Sequence, residues 1–279
     1  MKHDTFEKYS QSNLQLPLSG LLTAWDCLAR YHDDLVLVGG LAIKLLTNSP
    51  EDGQPGPVTL DVDFGVCMGA SGGVYPSIKE TLMSHGFLWD RTINRFAREF
   101  NGTPLFIDLL TDDGNAVTGT IIVDDGLAVG IVPGINRAMQ VTKLVEMRGL
   151  SLVGAESRQT LQVAEVGPML VLKLNAFGGP VGRKAPKDAH DILYLAMNYK
   201  DGGVERAIDA FHEEKRAENS AMQFAISALE RYFADENSEG PLACAAFRLN
   251  NKHLDPSLEE ESMQIRQQCV TLAQALLEA

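Results

Sequence analysis

"LVLVGGLAIKLL", residues 35–46, sets four apolar, β-favouring residues directly before two glycines and a helical pattern. Residues 35–38 read as a buried strand and 40–47 as a short helix. Glycine weakens regular structure, so a pair at a strand-to-helix junction predicts a close approach to the backbone. Two later stretches bear on what approaches. "VTLDVDFGV", residues 58–66, alternates Val58, Leu60, Val62 and Phe64 against Thr59, Asp61, Asp63 and Gly65, the period of a half-buried strand. "PLFIDLLT", residues 104–111, is a third strand, with Asp108 set among apolar neighbours.

Asp61 and Asp63 are two apart on a strand, so both project from one face. Like charges held side by side repel, and a fold tolerates them best where a cation neutralises them. Asp108 is expensive to bury without a partner. If the two strands are adjacent, the three carboxylates converge on a site suited to one or two Mg²⁺ ions. Gly39 and Gly40 would then present amide hydrogens to a phosphate at the start of the next helix. Taken singly, a DxD also occurs on solvated edges, a GG in tight turns, and a lone Asp108 could cap or pair with an arginine. The three in this order are more specific. Asp112 and Asp113 compete for the third carboxylate, but "TDDGN" reads as a turn.

Working outward, "LSGLLTAWDCLARY" (18–31) reads as an amphipathic helix, 47–57 as a loop, "PSIKETLMSHG" as a helix and 127–132 as a weaker strand. After about residue 165 the pattern turns helical: "GPMLVLKLNAF" with Lys173 inside it, "PKDAHDILYLAMNYK", then 204–235 and 257–279. The expected fold class is α+β. A mixed sheet flanked by helices fills residues 1–166, and a mainly helical domain fills 167–279. The chain has 279 residues, 45% of them hydrophobic, enough for a sizeable core. Its 37 acidic and 24 basic residues give a formal charge of −13, which argues against indiscriminate nucleic-acid binding but leaves room for a local basic patch. Four scattered cysteines suggest neither a disulfide framework nor a zinc site. The polar start lacks the apolar region of a signal peptide, and no stretch is apolar enough to span a membrane. A soluble, cytoplasmic protein without a membrane partner is expected. His32, His85, His190, His212 and His253 lack ligand spacing and are read as surface or supporting groups.

Gly39-Gly40 after an apolar strand, Asp61-Val-Asp63 on a second and Asp108 on a third resemble the nucleotidyltransferase signature of the DNA polymerase β superfamily. "LVLKLNAFGGPVGRKAPKDAHDILYL" is similar to the lysine-containing helix and KDxxD-type motif of the AbiEii/AbiGii toxin family. The likeness covers about residues 35–200. It implies a nucleotidyltransferase-like sheet, an Mg²⁺-dependent transfer from a nucleoside triphosphate, and two Mg²⁺ ions held by Asp61, Asp63 and Asp108. It also implies that Gly39, Gly40, Lys173, Arg183 and Lys187 meet the nucleotide, with Lys173, Asp188 and Asp191 completing the catalytic set. By family the chain would be the toxin of a type IV toxin–antitoxin or abortive-infection system, partnered by an antitoxin protein and acting on an acceptor such as the 3′ end of tRNA. Arg91, Arg95, Arg98, Arg137, Lys143, Arg148, Arg183, Lys184 and Lys187 are the basic residues available to an RNA acceptor. A catalytically silent nucleotide- or partner-binding module of the same fold is the alternative. Twenty residues separate Gly40 from Asp61, long for the superfamily.

Overall fold

The computed structural model describes residues 5, 7, 15–48, 56, 59, 61–67, 76–90, 95–114, 116–122 and 127–278. Most of the expected 47–57 loop, Val58 and Leu60 of the expected strand, and Arg91 lie outside the described residues. The chain forms two compact units. One holds the described residues of 11–45 and 59–165, the other those of 1–10, 46–58 and 166–279. The sequence reading draws one boundary at 166. The second unit also takes residues 46–48, where the Lys200 amide donates to the Leu46 carbonyl and the Asn48 amide to the Asn198 carbonyl.

The first unit is built on a mixed sheet with nine strands among the described residues. They are β1 (Leu35–Val38), β2 (Asp61–Val66), β3 (Leu88–Asp90), β4 (Arg95–Phe100), β5 (Thr103–Thr111), β6 (Thr120–Ile122), β7 (Ala128–Ile131), β8 (Thr142–Leu150) and β9 (Glu156–Ala164). The order is β3-β4-β5-β2-β1-β9-β8, with β7 beside the far end of β5 and β6 beside β7. The pairs β1–β9, β2–β5 and β5–β7 are parallel and the rest antiparallel. β1 shows no alternation because all four of its residues are buried in the middle of the sheet.

Helices α1 (Gln15–Cys27), α2 (Gly39–Leu46), α3 (Pro76–Ser84) and α4 (Ile135–Gln140) flank the sheet. Alternation along β2 sends Val62 and Phe64 to one face, where Trp25 of α1 lies with its ring centroid 5.9 Å from that of Phe64. All three side chains are fully buried, each removing about 1.5–3 kcal/mol worth of apolar surface from water. The opposite face of β2 carries Asp61, Asp63 and Gly65, and Ile135 of α4 comes in against Gly65.

Five strands escape the sequence reading altogether. The β8–β9 hairpin is the clearest, since its nine-residue strands bury few side chains and expose Glu146, Arg148 and Leu150. A sheet end with little buried surface leaves no hydrophobic alternation to find. β3, β4 and β6 are short or half exposed for the same reason.

In the second unit, α5 (Val166–Gly178) is buried almost all round and packs against α6 (Pro186–Met197), α7 (Gly203–Arg216) and α8 (Met222–Tyr232). The expected 204–235 helix is two helices. They break at Asn219, whose side chain accepts from the Ala221 amide (3.0 Å) and donates to Glu214 (2.8 Å). α9 (Glu239–Arg248), which the sequence reading lacks, and α10 (Glu259–Leu277) complete the unit. Among the described residues no helix is long and apolar enough to cross a membrane.

Candidate functional site

Strand register gathers the acids of the first unit. β2 and β5 are parallel neighbours in which Asp63 faces Asp108 directly, while Asp61 faces Phe106. Partners on neighbouring strands point to the same side, so Asp61, Asp63 and Asp108 share one face. β4 runs antiparallel to β5 with Phe96 opposite Ile107, which sets Arg95 opposite Asp108 one residue further along. On the other side Arg95 pairs with Asp90 of β3. A row of Asp90, Arg95, Asp108 and Asp63 therefore crosses four strands.

Arg95 is the group at the centre of this row. Its Nε donates to Asp108 Oδ1 at 2.8 Å and one terminal nitrogen donates to Asp108 Oδ2, a two-pronged pair. The same nitrogen lies 3.5 Å from Asp61 Oδ1, and the guanidinium carbon stands 4.3 Å above the Phe106 ring. Burial works against its charge. The hydrogen bond to Asp108 and the fields of Asp108, Asp61 and Asp63 outweigh that and hold its pKa above the ordinary value. The sequence reading counts Arg95 only among the basic residues available to RNA. Its spacing to Asp108 carries no signal because the partners meet across a hairpin that the pattern does not reveal.

The glycine pair also gains a physical reason. Gly39 opens α2 at a φ of +73°, and a Cβ there would fall 1.9 Å from Asp63 Oδ2. A Cβ on Gly40 would fall 2.8 Å from the Cβ of Thr59, whose hydroxyl accepts from the Asp61 amide at 3.2 Å. The close approach predicted from these glycines is made by the chain's own Asp63 and Thr59. It seats the Asp63 carboxylate against the start of a helix, where the peptide dipoles favour negative charge.

Carboxylates on one face are the hard oxygen donors that Mg²⁺ takes. Their present arrangement is built around a guanidinium instead. Among the described residues no group of three or more His, Cys, Asp and Glu side chains is gathered to hold an ion. Asp112 and Asp113, the rival carboxylates, form the expected turn. Asp112 accepts from the Gly114 (2.9 Å) and Gly134 (2.8 Å) amides, and Asp113 from the Ala116 amide (2.6 Å).

The motif residues of the second unit form a separate cluster. Lys173 of α5 and Lys187 of α6 both donate to Asp191 Oδ2, at 2.7 and 2.6 Å. Lys173 also lies 3.6 Å from Asp188 Oδ1, and Arg183 grips Asp188 through Nε (2.5 Å) and a terminal nitrogen (2.8 Å). Asp188 and Asp191 are completely buried. Burial alone would raise both carboxyls, but Lys173 and the neighbouring cations hold them below the usual range. Burial would likewise lower Lys187, and Asp191 and Asp188 reverse it. The α6 helix brings Lys187, Asp188 and Asp191 to one side, as its spacing predicts, and their charges are directed at one another. Next to them His190 is buried against Phe247, with ring centroids 5.0 Å apart, rather than at the surface.

Of the other basic residues available to RNA, several hold local partners. Arg98 donates to the His85 carbonyl, Arg137 to Gln140, Arg148 to Glu146 and Lys184 to Glu239. No protein-family model and no curated protein matches the chain.

Proposed function

We propose that the chain is a nucleotidyltransferase, its sheet unit arranged as in the DNA polymerase β superfamily. The observation that carries this reading is the in-register pairing of Asp63 with Asp108, with Asp61 on the same face, at the mouth of the helix that Gly39 opens. An acceptor hydroxyl attacks the α-phosphorus of a nucleoside triphosphate. The new oxygen–phosphorus bond forms as the bond to the β-phosphate oxygen breaks, pyrophosphate leaves, and the hydroxyl proton passes to a carboxylate of the row, with Asp108 the candidate base. Such a transfer asks the protein mainly for positioning and charge neutralisation. Mg²⁺, when bound by Asp61, Asp63 and Asp108, would supply the positive charge facing the phosphates. Following the AbiEii/AbiGii resemblance, the acceptor is an RNA end such as that of tRNA, and the biological role is that of a toxin held in check by an antitoxin. In this reading the Lys173–Asp191 cluster supports the helical unit, and Arg183 is its half-exposed member.

Incubation with each labelled triphosphate, Mg²⁺ and total cellular RNA tests the reading. Nucleotide added to RNA by the wild type, and lost by at least about a thousandfold in Asp63→Ala, supports it. Full activity in Asp63→Ala would remove it. One observation favours the second reading, a silent binding module: Arg95 already engages Asp108. Calorimetry showing triphosphate binding with no turnover on any acceptor would select that module.

A further inference from the structure

The acid row holds a feature that neither the motif nor a metal site explains, a guanidinium in the middle of it. We infer that Arg95 is a built-in counter-ion, which holds the carboxylates together in the metal-free protein and must release Asp108 before a divalent cation binds. The inference rests on reading the row as a cation site.

Asp61, Asp63 and Asp108 share one face, and the strand register sets them on adjacent strands at neighbouring positions. Without a cation their repulsion would strain the centre of the sheet. Arg95 meets both oxygens of Asp108 and stands 3.5 Å from Asp61, so one positive charge screens two of the three acids. Its position is fixed on both sides, by the Phe106 ring beneath the guanidinium and by strand β4 at its root. A planar fork suits that geometry and an ammonium would not. The arrangement that stabilises the row also competes with a metal. A cation on Asp108 would need oxygens that already face N–H donors, and would sit beside a second positive charge. Binding of one and retention of the other are therefore linked, each weakening the other by the same factor. Asp90 of β3 is the residue opposite Arg95 on its other side.

Mn²⁺ titration by calorimetry and by electron paramagnetic resonance tests this on the full chain, alongside thermal unfolding in EDTA and in Mn²⁺. Arg95→Gln is expected to bind Mn²⁺ about tenfold more tightly than the wild type, the scale of one charge-assisted pair. It should also unfold at a lower temperature in EDTA and gain more from Mn²⁺. Arg95→Lys, which keeps the charge without the fork, should fall between the two. Arg95→Gln binding Mn²⁺ no more tightly than the wild type would overturn the inference while leaving nucleotidyl transfer standing, if the wild type transfers nucleotide. Failure of wild type and variant alike to bind Mn²⁺ would overturn both. Should the variants not fold, the wild type alone decides. The Arg95 Nε–H signal in NMR should shift and lose exchange protection as Mg²⁺ is added, and an unchanged signal counts against the inference.

Discussion

The chain carries two charge clusters of opposite design, each within its own unit. In the sheet unit Asp61, Asp63 and Asp108 share one face around Arg95, the acids outnumbering the bases of this cluster among the described residues, and the side chains of Arg95 and Asp108 are 17% and 24% exposed. In the helical unit Lys173, Lys187 and Arg183 face Asp188 and Asp191, and both carboxylates are shut off from water. A buried cluster has to balance its charges, because an unpaired ion in a low dielectric is very costly. An excess of one sign survives only where water or a ligand reaches it. On the proposed function, the contrast fits a ligand at the acid row and internal support from the lysine–aspartate cluster, although the resemblance read in the sequence extends to both.

The sharpest way to break the contrast is Asp191→Ala. It leaves Lys173 and Lys187 buried without their shared acceptor and should cost about 3–5 kcal/mol of stability in chemical denaturation. A loss under about 1 kcal/mol would mean that the cluster is not structural. Acid extends the same test. The folded Asp188 and Asp191 carboxyls lie below the ordinary carboxylate range. Their contribution is therefore complete above about pH 4–5 and is lost progressively as pH falls below that range. Stability measured from pH 6 down to pH 2 should show this loss in the wild type, and a much weaker one in Asp191→Ala.

Smaller effects are expected at the acid row. Gly39→Ala puts a Cβ at a positive φ and into the space of Asp63 Oδ2, so it should cost about 1–2 kcal/mol and push the carboxylate aside. Its nucleotide transfer should fall further than its stability, and an unchanged rate would show that the position of Asp63 does not matter. Smallest is the stability change of Asp63→Ala, within about 1 kcal/mol, because one charge of a repelling set is removed. Collapse of that variant would make Asp63 a structural acid and undo the comparison.

How much was legible in the sequence follows from the same physics. The LVLV strand, the DxD strand and the 104–111 strand lie inside the sheet, so their burial writes a hydrophobic pattern that can be read directly. The helices around Lys173 and Asp188 are legible for the same reason. β4 and the β8–β9 hairpin bury little, and their sequences could belong to loops. With β4 unread, Arg95 had no position.

Local pattern alone determined that three acids sit on strands and that two glycines stand where a strand gives way to a helix, because alternation and turn chemistry act over a few residues. Only tertiary structure decided what those residues meet. Register across β4, β5 and β2 set Arg95 against Asp108 and Asp108 against Asp63, and chain folding brought the Asp63 carboxylate into the space that Gly39 leaves. Such contacts join residues far apart in the chain, and neither composition nor spacing encodes which strand lies beside which.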